Sequence, residues 1–343
     1  MLITGAVVLS GVGLYHVGGF AGLRAALPPD FFHMIKPASD PVYPWVGTIF
    51  GTMILGIWYW CTDQSIVQKT LSAKDLEDAR KGTFFCATLK ILPVFMLVLP
   101  GLIAKALYPT VVTGDNAYPT LVLRLLPRGL VGLMVAALLA ALMSAMSSVL
   151  NSCSTLITMD IFRKTHPHAS EKRLVNVGRL ATGVIVVISI MWVPLIKYLS
   201  NEIYQYLQSV QAYIGAPITA TFLVGVLWKR ATARAAFTTL ITGGLLGAGR
   251  FVLDVMHDAF QVDLGVWNAL VKFSFLNYSV IVFLFCVLLM FVISTTEPKR
   301  SAMAEQELTV QWGGAGKRIF DRADVAWTGM VGTFIVGLWV HFS

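Results

Sequence analysis

Apolar runs, each near the ~20 residues that cross a hydrocarbon core, recur from one end of this 343-residue chain to the other. A chain patterned this way has few folds open to it. Charged residues make up only 13% of it and its mean hydropathy is +0.72, whereas a soluble protein carries about a quarter charged residues. The chain is read as an all-α polytopic membrane protein with about nine transmembrane helices, near 2–19, 44–66, 84–107, 129–160, 179–196, 204–228, 235–253, 268–294 and 326–342. The opening stretch, MLITGAVVLSGVGLYHVGGF, lacks a basic n-region and a clear cleavage site, so it reads as a span and not as a signal peptide.

Basic residues set the orientation. The connecting segments 67–83, 161–179, 229–234 and 295–325 carry about twice as many Lys and Arg as the other side, which holds Arg24, Lys36, Lys105, Arg124, Arg128, Lys197, Arg250 and Lys272. The richer side is assigned to the cytoplasm and the C-terminus to the outside. The net charge of +8 is then a topology signal, and with no basic stretch interleaved by aromatics it calls for no nucleic-acid partner. KDLEDARKG (74–82) is expected to form a short interfacial helix, and the polar loop 295–325, with Gly313, Gly314 and Gly316, to be mobile. Cys61, Cys86, Cys153 and Cys286 have no metal spacing and no pairing pattern, and are read as small buried hydrophobes.

The polar residues inside the spans carry the functional information. Lys90 stands alone in FFCATLKILPVFMLVLPGLIAKAL (84–107). It lies six residues in from Phe84, roughly 9 Å along a helix. A charge at that depth normally faces a partner or a wet cavity, the alternative being to snorkel, as Lys105 does near the other end. Pro93 and Pro100 in the same span free carbonyls and permit bends. In the second span Trp58, Tyr59 and Trp60 precede Cys61, Thr62, Asp63 and Gln64. Aromatic rings beside polar groups suit a sugar, whose C–H faces stack and whose hydroxyls bond; an interfacial aromatic belt gives the same pattern. Asp63 either borders a cavity or pairs with a basic residue.

In 139–160, Ser144, Ser148, Ser152 and Thr155 share one helical face, with Ser147, Asn151, Ser154 and Thr158 nearby. Such a face serves close helix packing or supplies neutral oxygens to a hard cation. Gln205, Gln208 and Gln211 recur every three residues before Gly215 and Pro217, where the helix can bend or break. Three amides against lipid are expensive, which points to a polar pathway or to interhelical bonds.

WYWCTDQSIVQKTLSAKDLEDARKG, LKILPVFMLVLPG, AYPTLVLRLLP, ALMSAMSSVLNSCSTLITMDIF and YLQSVQAYIGAPITATFLVGVLWKR together resemble the sodium/solute symporters, in the sodium/glucose cotransporter branch. The resemblance implies two inverted five-helix repeats (the LeuT-type fold) working by alternating access. It implies sodium-coupled symport of a hexose-like sugar, with sodium as the coupling ion and no other cofactor, in a plasma (inner) membrane, and no enzymatic activity. By motif, Tyr59 matches the inner-gate tyrosine that stacks on the sugar, with Trp60 beside it. Lys90 matches the sugar-ligating lysine and Gln208 a sugar-bonding glutamine. Ala141 matches a carbonyl donor to sodium and Ser144 a sodium-ligating hydroxyl. Where the family has a second serine this chain has Ala145, a full turn from Ser148, so weaker sodium binding or a different coupling ion is expected. The motif WKRATARAAF (228–237) carries Ala235 where the family has glycine.

The same resemblance lays residues 1–343 out as a single transporter domain: 1–19 as a partial fifth core helix, 44–228 as the second inverted repeat and 235–342 as three trailing helices. The expectation is then that the first repeat lies outside this chain, that the missing N-terminal helices are partners alongside solute, sodium and lipid bilayer, and that these residues alone do not perform coupled transport. Competing readings are symport of an inositol or a carboxylate, and a non-transporting solute sensor, the latter disfavoured because the cytoplasmic segments hold no signalling domain. An intramembrane hydrolase is more remote still: His-Glu-x-x-His and Gly-x-Ser-x-Gly are absent, and His166 and His168 sit in a basic loop.

Overall fold

The computed structural model describes residues 2–112, 114–199, 202–297 and 322–341. Most of the expected loop 295–325, with Gly313, Gly314 and Gly316, lies outside the described residues. All nine expected spans fall on helices. Six helices are long and apolar enough to cross a membrane: Leu76–Leu107, Arg128–Thr165, Glu171–Pro194, Ile203–Leu227, Ala233–Asp258 and Phe275–Thr296. The first expected span is a bent pair, α1 (Leu2–Val17) and α2 (Gly19–Ala26), which meet at 69°. Gly18 and Gly19 make that corner, with φ of 88° and 74°, a left-handed conformation open to glycine and strained for other residues. The second and ninth spans are shorter apolar helices, Gly47–Cys61 and Asp324–Val340.

The described residues cluster into two compact units, each interleaved in sequence. The first comprises Met1–Phe32 and Phe85–Glu202. Its core joins Leu9 of α1, Leu23 of α2, Ile103 and Ala104 of α6 (Leu99–Leu107), Leu121 and Val122 of α7 (Ala117–Leu125), and Met134 of α8 (Arg128–Thr155). A seven-residue π turn, Leu156–Phe162, continues α8 into the short α9 (Arg163–Thr165). Helix α10 (Glu171–Leu199) then packs beside them.

The second unit comprises His33–Phe84 and Ile203–Ser343. It holds α3 (Thr52–Cys61, after a π turn at Gly47–Gly51), α4 (Gln64–Leu71), most of α5 (Leu76–Leu89), α11 (Ile203–Leu227), α12 (Ala233–Asp258), α13 (Asn268–Val271), α14 (Phe275–Thr296) and α15 (Arg322–His341). Its core is Ile54 and Leu55 against Tyr213, Ala216 and Ala220 of α11 and Leu276, Val282 and Cys286 of α14. Small residues set the spacing: a Cβ added at Gly243 would stand 2.7 Å from the Cys286 sulfur.

Several expectations change here. KDLEDARKG is not a separate interfacial helix. It is the first part of α5 and of the Leu76–Leu107 span, because Glu77 and Lys81 pair at 2.6 Å across one turn and no proline intervenes before Phe84. Arg80 on that turn reaches Asp324 of α15 at 3.6 Å. Of the cysteines only Cys286 is buried; Cys61 is exposed at the end of α3, and Cys86 and Cys153 are half-buried. Lys105 does direct its ammonium to a helix end, donating to the Pro109 and Val112 carbonyls at 3.3 Å each.

Candidate functional site

In the second unit, α3 and α11 pack antiparallel. Thr219 Oγ1 donates to the Ile54 carbonyl at 3.1 Å, fully inside, and four residues back along α11 Gly215 faces Trp58. A Cβ there would stand 3.1 Å from the indole Cγ, so glycine lets the ring lie on the α11 backbone. Helix α11 is continuous through Gly215 and Pro217, without the break the sequence allowed. Beyond Trp58 the other two aromatics turn outward. Tyr59 is half-buried and Trp60 is 38% exposed. Their rings meet edge-on, 5.3 Å apart at 87°, an arrangement favoured by aromatic quadrupoles. Gln208 is half-buried on α11. It lies two helical turns before Gly215 on the same face, about 10 Å along the axis. Extending the 54/219 and 58/215 register places it about level with the chain turn at Asp63–Ser65, one step beyond the aromatic triplet.

That turn answers the question Asp63 raised. Its carboxylate caps α4, accepting from the Ser65 backbone N–H at 2.8 Å and the Ser65 hydroxyl at 2.5 Å. Gln64, next in sequence, has a buried Oε1 with no hydrogen-bond partner among the described residues. The sequence placed Gln64 among the polar groups after the aromatic run and gave it no role of its own.

In the first unit, Lys90 sits at an interruption of its span. Helix α5 ends at Leu89, and Lys90 and Ile91 form a turn in which the Ile91 N–H bonds the Thr88 carbonyl at 3.2 Å. Pro93 follows, and then a π turn at Val94–Val98. Lys90 is exposed, as a lysine must be if its ammonium is to meet a wet cavity or a ligand. Ala141 and Ser144 share an exposed face in the unbroken middle of α8. Farther along, three hydroxyls are bonded, while the buried Thr158 hydroxyl has no partner among the described residues. Ser152 donates to the Ser148 carbonyl at 3.0 Å and Thr155 to the Asn151 carbonyl at 2.8 Å. Ser154 bonds the Gly178 carbonyl of α10 at 2.9 Å. Of these bonds only that of Ser154 joins two helices.

Tyr59, Trp60 and Gln208 are thus brought onto packed helices of one unit, and Lys90, Ala141 and Ser144 belong to the other.

A polar cluster absent from the sequence reading lies in the second unit. Arg250, counted above with the basic residues of the outer side, is 3% exposed and inside α12. Its Nε bonds Asp254 at 2.8 Å. Its other nitrogens donate to the carbonyls of Leu270, of Val271 at 2.8 Å and of Phe273 at 3.0 Å. Asp254 also accepts from the Tyr213 hydroxyl of α11 at 2.5 Å, and the guanidinium lies over the Tyr213 and Tyr278 rings. Its burial has a simple cause: an arginine in an apolar run can be held by an acid one turn later and by the carbonyls ending a nearby short helix. The i, i+4 spacing of Arg250 and Asp254 was the available signal.

Comparison with known proteins extends this geometry. The sequence profile of the sodium:solute symporter family matches residues 1–243. The sodium/myo-inositol cotransporter 2 of Bos taurus is 36% identical over 298 residues, covering 77% of this chain and 44% of the cotransporter. The sodium/glucose cotransporter 4 of Mus musculus is 38% identical over 294 residues, covering 76% and 43%. The chain therefore spans less than half the length of these relatives. A solved structure of a Na+-coupled sialic acid symporter, substrate-bound and outward-open, superposes with a TM-score of 0.64 over 87% of this chain and 60% of that one, at 20% identity. At that identity the likeness speaks to fold.

Proposed function

Because this chain belongs to the sodium:solute symporter family and is an integral, multi-pass membrane protein, we propose that it works in sodium-coupled symport of a small polyhydroxylated ring, a hexose or an inositol, across a plasma membrane by alternating access. Residues 1–343 act in this reading as one transporter domain. The observation that carries it is Lys90, a cation at the break of a membrane-crossing helix, in a family defined by solute transport. The relatives named for myo-inositol and glucose support the solute class, since both are six-membered rings bearing hydroxyls around an apolar C–H face.

Each site residue then has a role. The edge-on Tyr59 and Trp60 rings offer the apolar platform. Lys90 donates to solute hydroxyls, and the Gln208 amide donates and accepts. Sodium, carried as co-substrate, takes the Ala141 carbonyl and the Ser144 hydroxyl. The regular α8 gives it only those two oxygens on one face, and Ala145 withholds a third. A hard cation wants about six oxygens, so the remainder come from other backbone, from water or from solute.

Uptake of radiolabelled myo-inositol and D-glucose by proteoliposomes of the intact protein tests this. Uptake that needs sodium and is competed by the unlabelled ring polyols supports it. Competition by monocarboxylates alone overturns the solute class, and uptake indifferent to sodium overturns the coupling.

A further inference from the structure

The segment after Lys90 contains a backbone defect with a specific repair. In the π turn Val94–Val98 the Leu99 N–H bonds the Val94 carbonyl, five residues back. The next carbonyl, of Phe95, would in the same pattern need the N–H of residue 100. Residue 100 is proline and has none. The regular four-residue donor, Leu99, is already used. Phe95 is therefore left without an intrahelical donor in a membrane-crossing segment, where an unmet carbonyl is costly.

The missing hydrogen comes from a different helix. Ser10 of α1 donates its hydroxyl to the Phe95 carbonyl at 3.0 Å. A helical serine commonly bonds back to the carbonyl four residues earlier; this one reaches across instead. It is 8% exposed, in a wall with the fully buried Leu9 and Ala6. Three residues on, a Cβ at Gly13 would stand 2.8 Å from Ile103 Cγ2, so α1 and α6 are in close contact there as well. The π turn is thus fastened to α1, and the turn that holds Lys90 lies just before it, with Lys90 five residues ahead of Phe95.

We propose that Ser10 is a positioning residue for Lys90: it completes the backbone that Pro100 leaves open and so fixes the turn from which the lysine projects. Ser10 touches neither solute nor ion. The inference rests on the reading above that Lys90 contacts the solute, and the test separates the two. In proteoliposomes of the intact protein, half-saturation by myo-inositol, D-glucose and sodium is measured for Ser10→Ala, Ser10→Thr, Lys90→Ala and the Ser10→Ala/Lys90→Ala pair, with rates normalised to transporter protein. Ser10→Ala is expected to raise the solute half-saturation about three- to tenfold, the range of one lost hydrogen bond. Sodium half-saturation and maximal rate stay within about twofold, Ser10→Thr behaves as the parent, and Ser10→Ala adds less than about twofold once Lys90 is gone. A loss of folding alone would instead lower the amount of transporter and spare the half-saturation.

If Lys90→Ala weakens solute affinity and Ser10→Ala does not, the inference about Ser10 is overturned and the solute reading stands. Full additivity in the pair overturns it too. If Lys90→Ala leaves affinity intact, the solute reading goes and takes this inference with it. Should Ser10→Ala fail to accumulate, Ser10→Val against Ser10→Thr, similar in shape and differing in the hydroxyl, decides the matter; equal affinities overturn it.

Discussion

Arg250 and Ser144 are both polar residues inside apolar helices, and the chain treats them in opposite ways. Arg250 is buried, with a carboxylate, three carbonyls and two aromatic faces around it. Ser144 is exposed on the even surface of α8, where neighbouring hydroxyls a few turns away are used up in local bonds. The contrast separates two uses of polarity in a membrane helix. A group whose bonds are all met inside the protein holds the fold together, and little remains for a ligand. A group exposed on a helix adds nothing to the core, and in the proposed reading it is left for the ion. In the second unit the first use prevails around Tyr213, and it ties α11, α12 and the 270–273 turn together. Gln208 stands on the helix so fixed. Lys90, in the first unit, stands on a segment interrupted by a turn, a proline and a π turn.

The largest effect should come from the closed cluster. Arg250→Ala leaves Asp254 and three carbonyls without their shared donor, and is expected to cost about 3–5 kcal/mol of stability. Thermal unfolding of the purified protein in detergent reads this directly; a midpoint equal to the parent's would mean that the cluster carries no fold energy. A glycine pair sharpens the same contrast at smaller scale. A Cβ at Gly247 runs into the Tyr213 carbonyl, which is backbone and has little room to move, whereas Gly183 of α10 faces open space. Gly247→Ala should lose about 1–3 kcal/mol. Gly183→Ala should be neutral or slightly stabilising, by up to about 1 kcal/mol, and equal losses would erase the distinction. Smallest in stability, yet informative for transport, is Ser144→Ala. Unfolding should stay within about 0.5 kcal/mol of the parent, while the sodium activation curve moves to higher concentration. An unmoved curve would place the ion elsewhere.

The sequence made much of this legible, for a physical reason. Hydrophobic run length responds to bilayer thickness, so the spans could be read without knowing their partners, and the six long helices follow them closely. Helix breaks were harder. Gly215 and Pro217 offered a place to bend or break, yet α11 runs on through both, packed against Trp58 and the α14 side of the core. Gly18 and Gly19 fell within the first expected span and form a sharp corner between two helices. Asp63 read as an open question because capping depends on where the next helix starts. For Arg250 the Asp254 spacing was a local signal, whereas no local pattern announced the carbonyls of 270–273 or the Tyr213 ring. The Ser10 bond is of the same kind: Pro100 marked an unmet carbonyl, yet nothing in the sequence told which side chain would meet it.

The central claim is the proposal that Lys90 and Gln208 each bind the solute. Solute half-saturation in the intact protein, for Lys90→Ala, Gln208→Ala and the double variant, tests it most directly. The account predicts a rise of about tenfold or more for each single change, as for a hydrogen bond to a charged or fully desolvated group, with the double change falling short of the product. Unaltered half-saturation in both single variants would contradict it.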